Sequence, residues 1–142
     1  MKKAFLILGV VGLLASCSKD DDNKSIDVSK LTRKWYSVSE RVNGETYPYD
    51  DHEVCGKDYV EFMANGTGRF VDVFACEPTA TDEFEFDWSR SGNKLVVTSL
   101  GVTQEATVVT LNDNTFELKL RYDYDGDGED DTVYERYTSN PN

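Results

Sequence analysis

The stretch Glu83-Phe84-Glu85-Phe86-Asp87-Trp88 alternates acid and aromatic at every step. In an extended chain this puts Phe84, Phe86 and Trp88 on one side and Glu83, Glu85 and Asp87 on the other. That is the period of a β-strand with one buried and one wet face. Further along, Phe116, Leu118, Leu120 and Tyr122 alternate in the same way with Glu117, Lys119, Arg121 and Asp123. Between such runs, Ala64-Asn65-Gly66-Thr67, Arg90-Ser91-Gly92-Asn93 and Asn112-Asp113-Asn114 carry the residues of tight turns. No long stretch has helical period. The pattern predicts about eight strands, near 33–41, 58–64, 68–75, 82–88, 94–100, 103–111, 115–123 and 132–138. Short loops join nearly all of them, so neighbours should pair antiparallel in a meander. Such a sheet hides its edges most simply by closing into a small up-and-down barrel. The expected fold class is therefore all-β.

One long connection, residues 42–57, has no clear period and contains Tyr47-Pro48-Tyr49 and Cys55. It is either a flap over one barrel mouth or ordinary surface packing. Inward-facing candidates are Phe62, Phe84, Phe86, Trp88, Val97, Val108, Phe116, Leu118 and Leu120. An eight-stranded interior is just wide enough to be filled by side chains or to hold one small ligand. The sequence leaves both open. If a ligand is held, Phe84, Phe86, Trp88, Phe116 and Leu118 are its expected contacts.

The chain begins with a basic start (Lys2, Lys3), an apolar run from Ala4 to Leu14 and small residues ending at Ser16. As a helix, about eleven apolar residues rise only roughly 16 Å, short of a bilayer core of about 30 Å, so residues 1–16 read as an export signal. The end of that signal, Leu14-Ala15-Ser16-Cys17, resembles the bacterial lipobox, which implies cleavage before Cys17 and lipidation of its thiol. Acyl chains stabilise membrane attachment by about 0.8 kcal/mol per buried methylene, so the anchor is effectively permanent. Residues 17–28 follow as a polar tether. Within it, Ser18-Lys19-Asp20-Asp21-Asp22 resembles the lipoprotein export signal of Bacteroidota. That resemblance implies an outer-membrane lipoprotein displayed on the cell surface; without it, the periplasmic leaflet is the alternative.

The sequence has 142 residues, with 15 Lys and Arg against 27 Asp and Glu. Removing residues 1–16 takes away Lys2 and Lys3 and leaves 126 residues, 13 basic against 27 acidic, a net of −14. This is enough chain for one domain, expected over 29–142. The charge argues against nucleic acid, whose phosphates demand a basic face, and against electrostatic docking on anionic lipid. Besides Cys17 there are two cysteines, Cys55 and Cys76. In an oxidising compartment a disulfide is the default for such a pair. Closing a loop of that length should add roughly 3 kcal/mol in the chain-entropy model. A metal or redox role is poorly supported, because the spacing is not CxxC and His52 is the only histidine.

Leu31 to Trp35, at the opening of the first strand, resembles the start of the lipocalin-like domains of Bacteroidota lipoproteins, where a leucine and then Gly-x-Trp begin the barrel. Trp35 matches, whereas Arg33 stands at the glycine's place. The resemblance covers roughly residues 29–138. It implies an eight-stranded barrel holding a small apolar ligand, with Trp35 as a plug at the closed end.

Asp123, Asp125, Asp127, Glu129, Asp130 and Asp131 crowd into nine residues around Gly126 and Gly128. Asp123, Asp125, Asp127, Gly128 and Asp131 fall at positions 1, 3, 5, 6 and 9 of the EF-hand loop pattern. Position 12 departs, being Tyr134, with Glu135 one residue late. The loop is either a solvated hairpin turn or a weak structural Ca²⁺ site with Asp123, Asp125, Asp127, Glu129 and Asp131 as ligands. No catalytic residues are expected. His52 lies among Asp50, Asp51 and Glu53 with no nucleophile signature nearby, and no glycine-rich phosphate loop is present. Two non-catalytic functions remain. One is a binding protein for a small hydrophobic ligand; the other is a surface module with a filled barrel whose loops contact a protein or glycan.

Overall fold

A computed structural model describes residues 25–142. The export signal, Cys17 and the tether through residue 24 lie outside the described residues. The chain forms one short helix, α1 (Val28–Leu31), and nine strands. These are β1 (Lys34–Val42), β2 (Glu45–Pro48), β3 (Tyr59–Phe62), β4 (Thr67–Cys76), β5 (Thr79–Ser91), β6 (Lys94–Ser99), β7 (Val102–Leu111), β8 (Thr115–Tyr122) and β9 (Asp131–Thr138). From β3 to β9 each strand pairs antiparallel with the next. β9 then returns to β1 along Tyr36–Val42. Eight strands, β1 and β3 to β9, thus close into the expected barrel.

The extra strand is β2, inside the connection that showed no period. It pairs with β1 over Ser39–Val42, beyond the short stretch Lys34–Tyr36 where β1 pairs with β3. All four of its residues are exposed, so no apolar alternation marks it. Its signal is in the turn: Asn43 and Gly44 both have positive φ, 52° and 87°, as a type I′ hairpin needs and as an Asn-Gly pair supplies. The packed fold also starts earlier than residue 29. Ile26 is buried, and its N–H donates to the Gly92 carbonyl.

Residues directly opposite each other in an antiparallel ladder share a face, so the pairings identify what points inward. Phe116 faces Tyr137, Leu118 faces Val108, Leu95 faces Ala106, Trp88 faces Val97 and Trp35 faces Val60. These positions crowd toward the end of the barrel where α1 and the turns at 63–66, 92–93 and 112–114 gather. There Leu31, Trp35, Leu95 and Phe116 have no exposure at all. Phe62 meets Phe86, Trp88 and Phe116 edge-on, with ring centroids 5.4, 5.8 and 5.8 Å away. Gly68 makes this possible, since a Cβ there would strike the Phe86 ring and the Glu61 carbonyl.

Trp35 plugs this end, as the family resemblance implied. Its ring centroid lies 5.4 Å from that of Phe116, and its indole N–H donates to the Leu31 carbonyl at 2.9 Å. Arg33, standing where a glycine was expected, covers the plug from outside. Its guanidinium sits 5.6 Å from the Trp35 ring and donates to the Asp113 carbonyl.

Candidate functional site

The opposite end of the barrel is built differently. It carries the hairpins at 43–44, 77–78 and 100–101 and the acidic loop before β9. Toward it carboxylates join the inward positions, while Val42 and Val133, nearer still to this end, remain buried. Glu40 on β1 lies directly opposite Glu135 on β9, and Asp72 on β4 directly opposite Asp82 on β5. Alternation puts Glu135 on the same face as Val133 and Tyr137, and Asp72 and Asp82 on the same face as Phe70 and Phe84. A bulge between Ser37 and Ser39 resets the alternation of β1, which is what turns Glu40 inward. A cavity of about 290 Å³ opens here among Ser37, Glu40, Tyr49, Phe70, Glu135 and Tyr137. A larger hollow of about 570 Å³ lies along β6 to β8, bordered by Lys94, Glu105, Lys119 and Arg121. Those charged side chains belong to the wet face, and Lys94 pairs with Glu105 at 3.1 Å. It is a groove in the wall.

Like charges placed directly across a ladder repel, and burial strengthens the effect. The Glu135 carboxyl is accordingly pushed up, chiefly by burial, with Glu40 adding to the rise. The Tyr137 hydroxyl opposes it by donating to Glu135 Oε2 at 2.5 Å. Tyr137 is itself pushed well up by burial and by the neighbouring Glu135 carboxylate. Burial, then Glu135 and Glu40, push Tyr122 up to about 12. Asp72 is raised by burial first, then by Asp58, Asp82 and Asp51. Negative charge is thus concentrated at one end of the interior.

The connection that follows β2 fills the seam left where β3 ends and β1 continues alone on that side. Asp58 is fully buried and ties the seam together. Its Oδ1 accepts from the Val73 N–H at 2.8 Å, and its Oδ2 accepts from the Tyr49 hydroxyl at 2.5 Å. The Asp58 N–H donates to His52 Nδ1 at 3.1 Å. His52 Nε2 therefore carries the ring proton and donates to the Ser37 carbonyl at 2.8 Å. With both nitrogens bound to backbone, the only histidine of the sequence is a structural clasp. The expected disulfide between Cys55 and Cys76 fastens the same segment to the end of β4. Of the two alternatives for residues 42–57, the structure combines parts of each: a seam filler whose Tyr49 borders the cavity.

In the acidic loop, Asp123, Asp125 and Asp131 bring carboxylate oxygens within 4.8 Å of one another. Asp127 and Glu129 do not belong to that group. Asp123 accepts from the Gly126 and Gly128 N–H groups, and Asp127 accepts from the Glu129 N–H. Tyr134 and Glu135, the residues at and just after position 12, lie further along β9 and are not part of the converging group.

Of the five residues expected to contact a ligand, Phe116 and Leu118 are buried in the packed end and Phe86 and Trp88 lie against it. Phe84 stands apart, 50% exposed at the acidic end, with its ring 6.4 Å from that of Phe70. Glu40, Tyr49, Phe70, Glu135 and Tyr137 were not among the contacts expected from the sequence. A usable signal was present in Val133-Tyr134-Glu135-Arg136-Tyr137, where an acid holds a position between two apolar residues of one face.

A carboxyl whose folded-state pKa is raised contributes stability below its unfolded value, and that contribution is lost as pH rises through the folded value. For Glu135 the loss begins near its ordinary value of 4.5. Glu135→Gln keeps an acceptor for Tyr137 and removes the charge. In urea melts it should be more stable than the parent at pH 7, with the difference vanishing at pH 4. A variant less stable at both pH values would contradict the electrostatics described for this end.

The family model described as lipocalin-like domain matches residues 31–118. A search of curated proteins finds no match. Among solved structures, a lipocalin-like protein from Bacteroides uniformis aligns with a TM-score of 0.53 at 13% identity, covering 75% of this chain and 97% of that one. An uncharacterized protein from Bacteroides eggerthii aligns with a TM-score of 0.52 at 12% identity, covering 75% and 99%. A bovine lipocalin allergen aligns with a TM-score of 0.50 at 14% identity, covering 82% and 77%. At such identities these structures speak for the fold alone. Together with the closed eight-stranded barrel and the Trp35 plug, the family match shows that this chain belongs to the lipocalin-like domain family.

Proposed function

We propose that this protein is a lipid-anchored, non-catalytic binding protein that holds a small, largely apolar ligand in the open end of its barrel. The observation that carries this reading is the cavity of about 290 Å³ walled by Tyr49, Phe70 and Tyr137, beside an opposite end packed shut. The family supports it, and so does the structural use of both His52 nitrogens. Native mass spectrometry followed by solvent extraction should release a small compound from protein purified out of its own cell. Release of nothing, together with no binding of an apolar fluorescent probe, would contradict the reading. A second reading, a surface module that contacts a protein or glycan through its loops, draws on the exposed Leu100, Val102 and Phe74 at the same end.

The anchor belongs to this proposal. Ser25 and Ile26 join the barrel at its packed end, where Arg90 donates to the Ser25 hydroxyl. A lipid on Cys17 would hold that end toward the membrane and leave the cavity facing away, toward the surroundings if Asp20, Asp21 and Asp22 direct surface display. Cys17→Ala should leave the detergent phase in partition experiments, and replacing the three aspartates by alanine should lower surface labelling of whole cells. A Cys17→Ala protein still wholly in detergent would contradict the anchor.

We also propose a structural Ca²⁺ at Asp123, Asp125 and Asp131, supported by their convergence and by the positive φ of Gly126 and Gly128, 79° and 93°. An exposed, incomplete site of this kind binds at about 10⁻⁴–10⁻³ M. In roughly 5 mM Ca²⁺, well above that range, the melting temperature should rise relative to chelator at matched ionic strength. The rise should disappear in an Asp123→Asn, Asp125→Asn variant. Equal melting in calcium and chelator would leave a solvated turn.

A further inference from the structure

Resting on the proposal that the open end is a ligand cavity, we infer that its ligand is a small organic cation, a protonated amine carried on a single ring. Size sets the first limit. A cavity of about 150 Å³ accommodates benzene, so the 290 Å³ of this cavity suits one ring with a short arm. A long acyl chain or a fused polycycle would overfill it.

Charge sets the second limit. Glu40 and Glu135 face each other across one ladder and both line the cavity, and Asp72 and Asp82, opposed across another ladder, add negative charge outside its lining. A barrel built only to hold apolar matter gains nothing from opposed carboxylates, which destabilise a sheet. Among the described residues no Lys or Arg forms an ion pair with any of the four. Arg136 borders the cavity, but its ladder partners are Ser39 and Glu117 and it is exposed, so it lies on the wet face. Glu135 Oε2 is taken by the Tyr137 hydroxyl. Its Oε1 has no hydrogen-bond partner among the described residues and, in a half-buried side chain with no enclosed unpaired atom, is open to an incoming donor. An ammonium N–H would supply that partner.

The walls fit the same ligand. Tyr49, Phe70 and Tyr137 line the cavity, and aromatic rings attract a cation as well as an apolar ring. The net charge of −12 adds a long-range field that draws cations in and repels carboxylates and phosphates.

Calorimetric titration of the purified full-length protein in chelator-containing buffer would compare three probes of one shape: 2-phenylethylamine, 2-phenylethanol and phenylacetate. An opposite charge within contact distance favours the charged probe even after desolvation, so the amine should bind at least about tenfold tighter than the alcohol. Phenylacetate should bind weakest. In a Glu40→Gln, Glu135→Gln variant the amine's advantage over the alcohol should disappear. Alcohol and amine binding alike to the parent would overturn the charge inference and leave the cavity intact. Binding of none of the three, by a protein that melts cooperatively, would overturn the cavity and the inference together.

Discussion

The ladder between β1 and β9, from Tyr36 opposite Thr138 to Val42 opposite Val133, joins the two ends of the sheet. Everything else in the molecule depends on it. Without that pairing the meander is an open sheet with two bare edges and no interior. With it, eight strands enclose a space barely wider than the side chains pointing into it. What those side chains are then decides, level by level, whether the space is solid or hollow. At the Trp35 end, the rings of Trp35, Phe62, Phe86, Trp88 and Phe116 meet and fill it, with Gly68 leaving room for Phe86. At the other end, the same ladder sets Glu40 against Glu135, and two carboxylates cannot pack against each other as rings do.

This division also accounts for the seam. β3 is only four residues long, so β1 and β4 diverge past Tyr36 and Val71. Backbone groups there need partners from elsewhere, and Asp58 and His52 provide them for Val73 N–H and the Ser37 carbonyl. The disulfide holds that supply in place. In consequence a loop, not a strand, forms part of the cavity wall, and Tyr49 projects from it. Structure at the open end is thus held by buried polar bonds and a covalent tie, and at the closed end by apolar packing.

The strands of Glu83–Trp88 and Phe116–Tyr122 were legible because one face is apolar and the other charged, and period two is then unmistakable. The same rule hid β2, whose residues are all exposed, although its Asn43-Gly44 turn announced a hairpin. Cys55 and Cys76 were legible as a pair by elimination. The cavity was not. Local pattern puts Glu135 on one face with Val133 and Tyr137 but does not say what stands opposite it, and Glu40 is turned inward only by a bulge that no local pattern marks. Ligand contacts were therefore expected along the aromatic runs, and Phe116 and Leu118 were placed by the fold in the packed end instead. Sequence alternation identifies which residues share a face; only the ladder identifies how far along the barrel each one sits.

The central claim is that one end of this barrel is solid and the other hollow. Paramagnetic relaxation by a small neutral nitroxide dissolved in the sample measures it directly. The ring protons of Phe70 and Phe84 should relax strongly, while those of Trp35 and Phe116 should be protected. Equal protection of all four rings would mean that the barrel is filled along its whole length and has no open end.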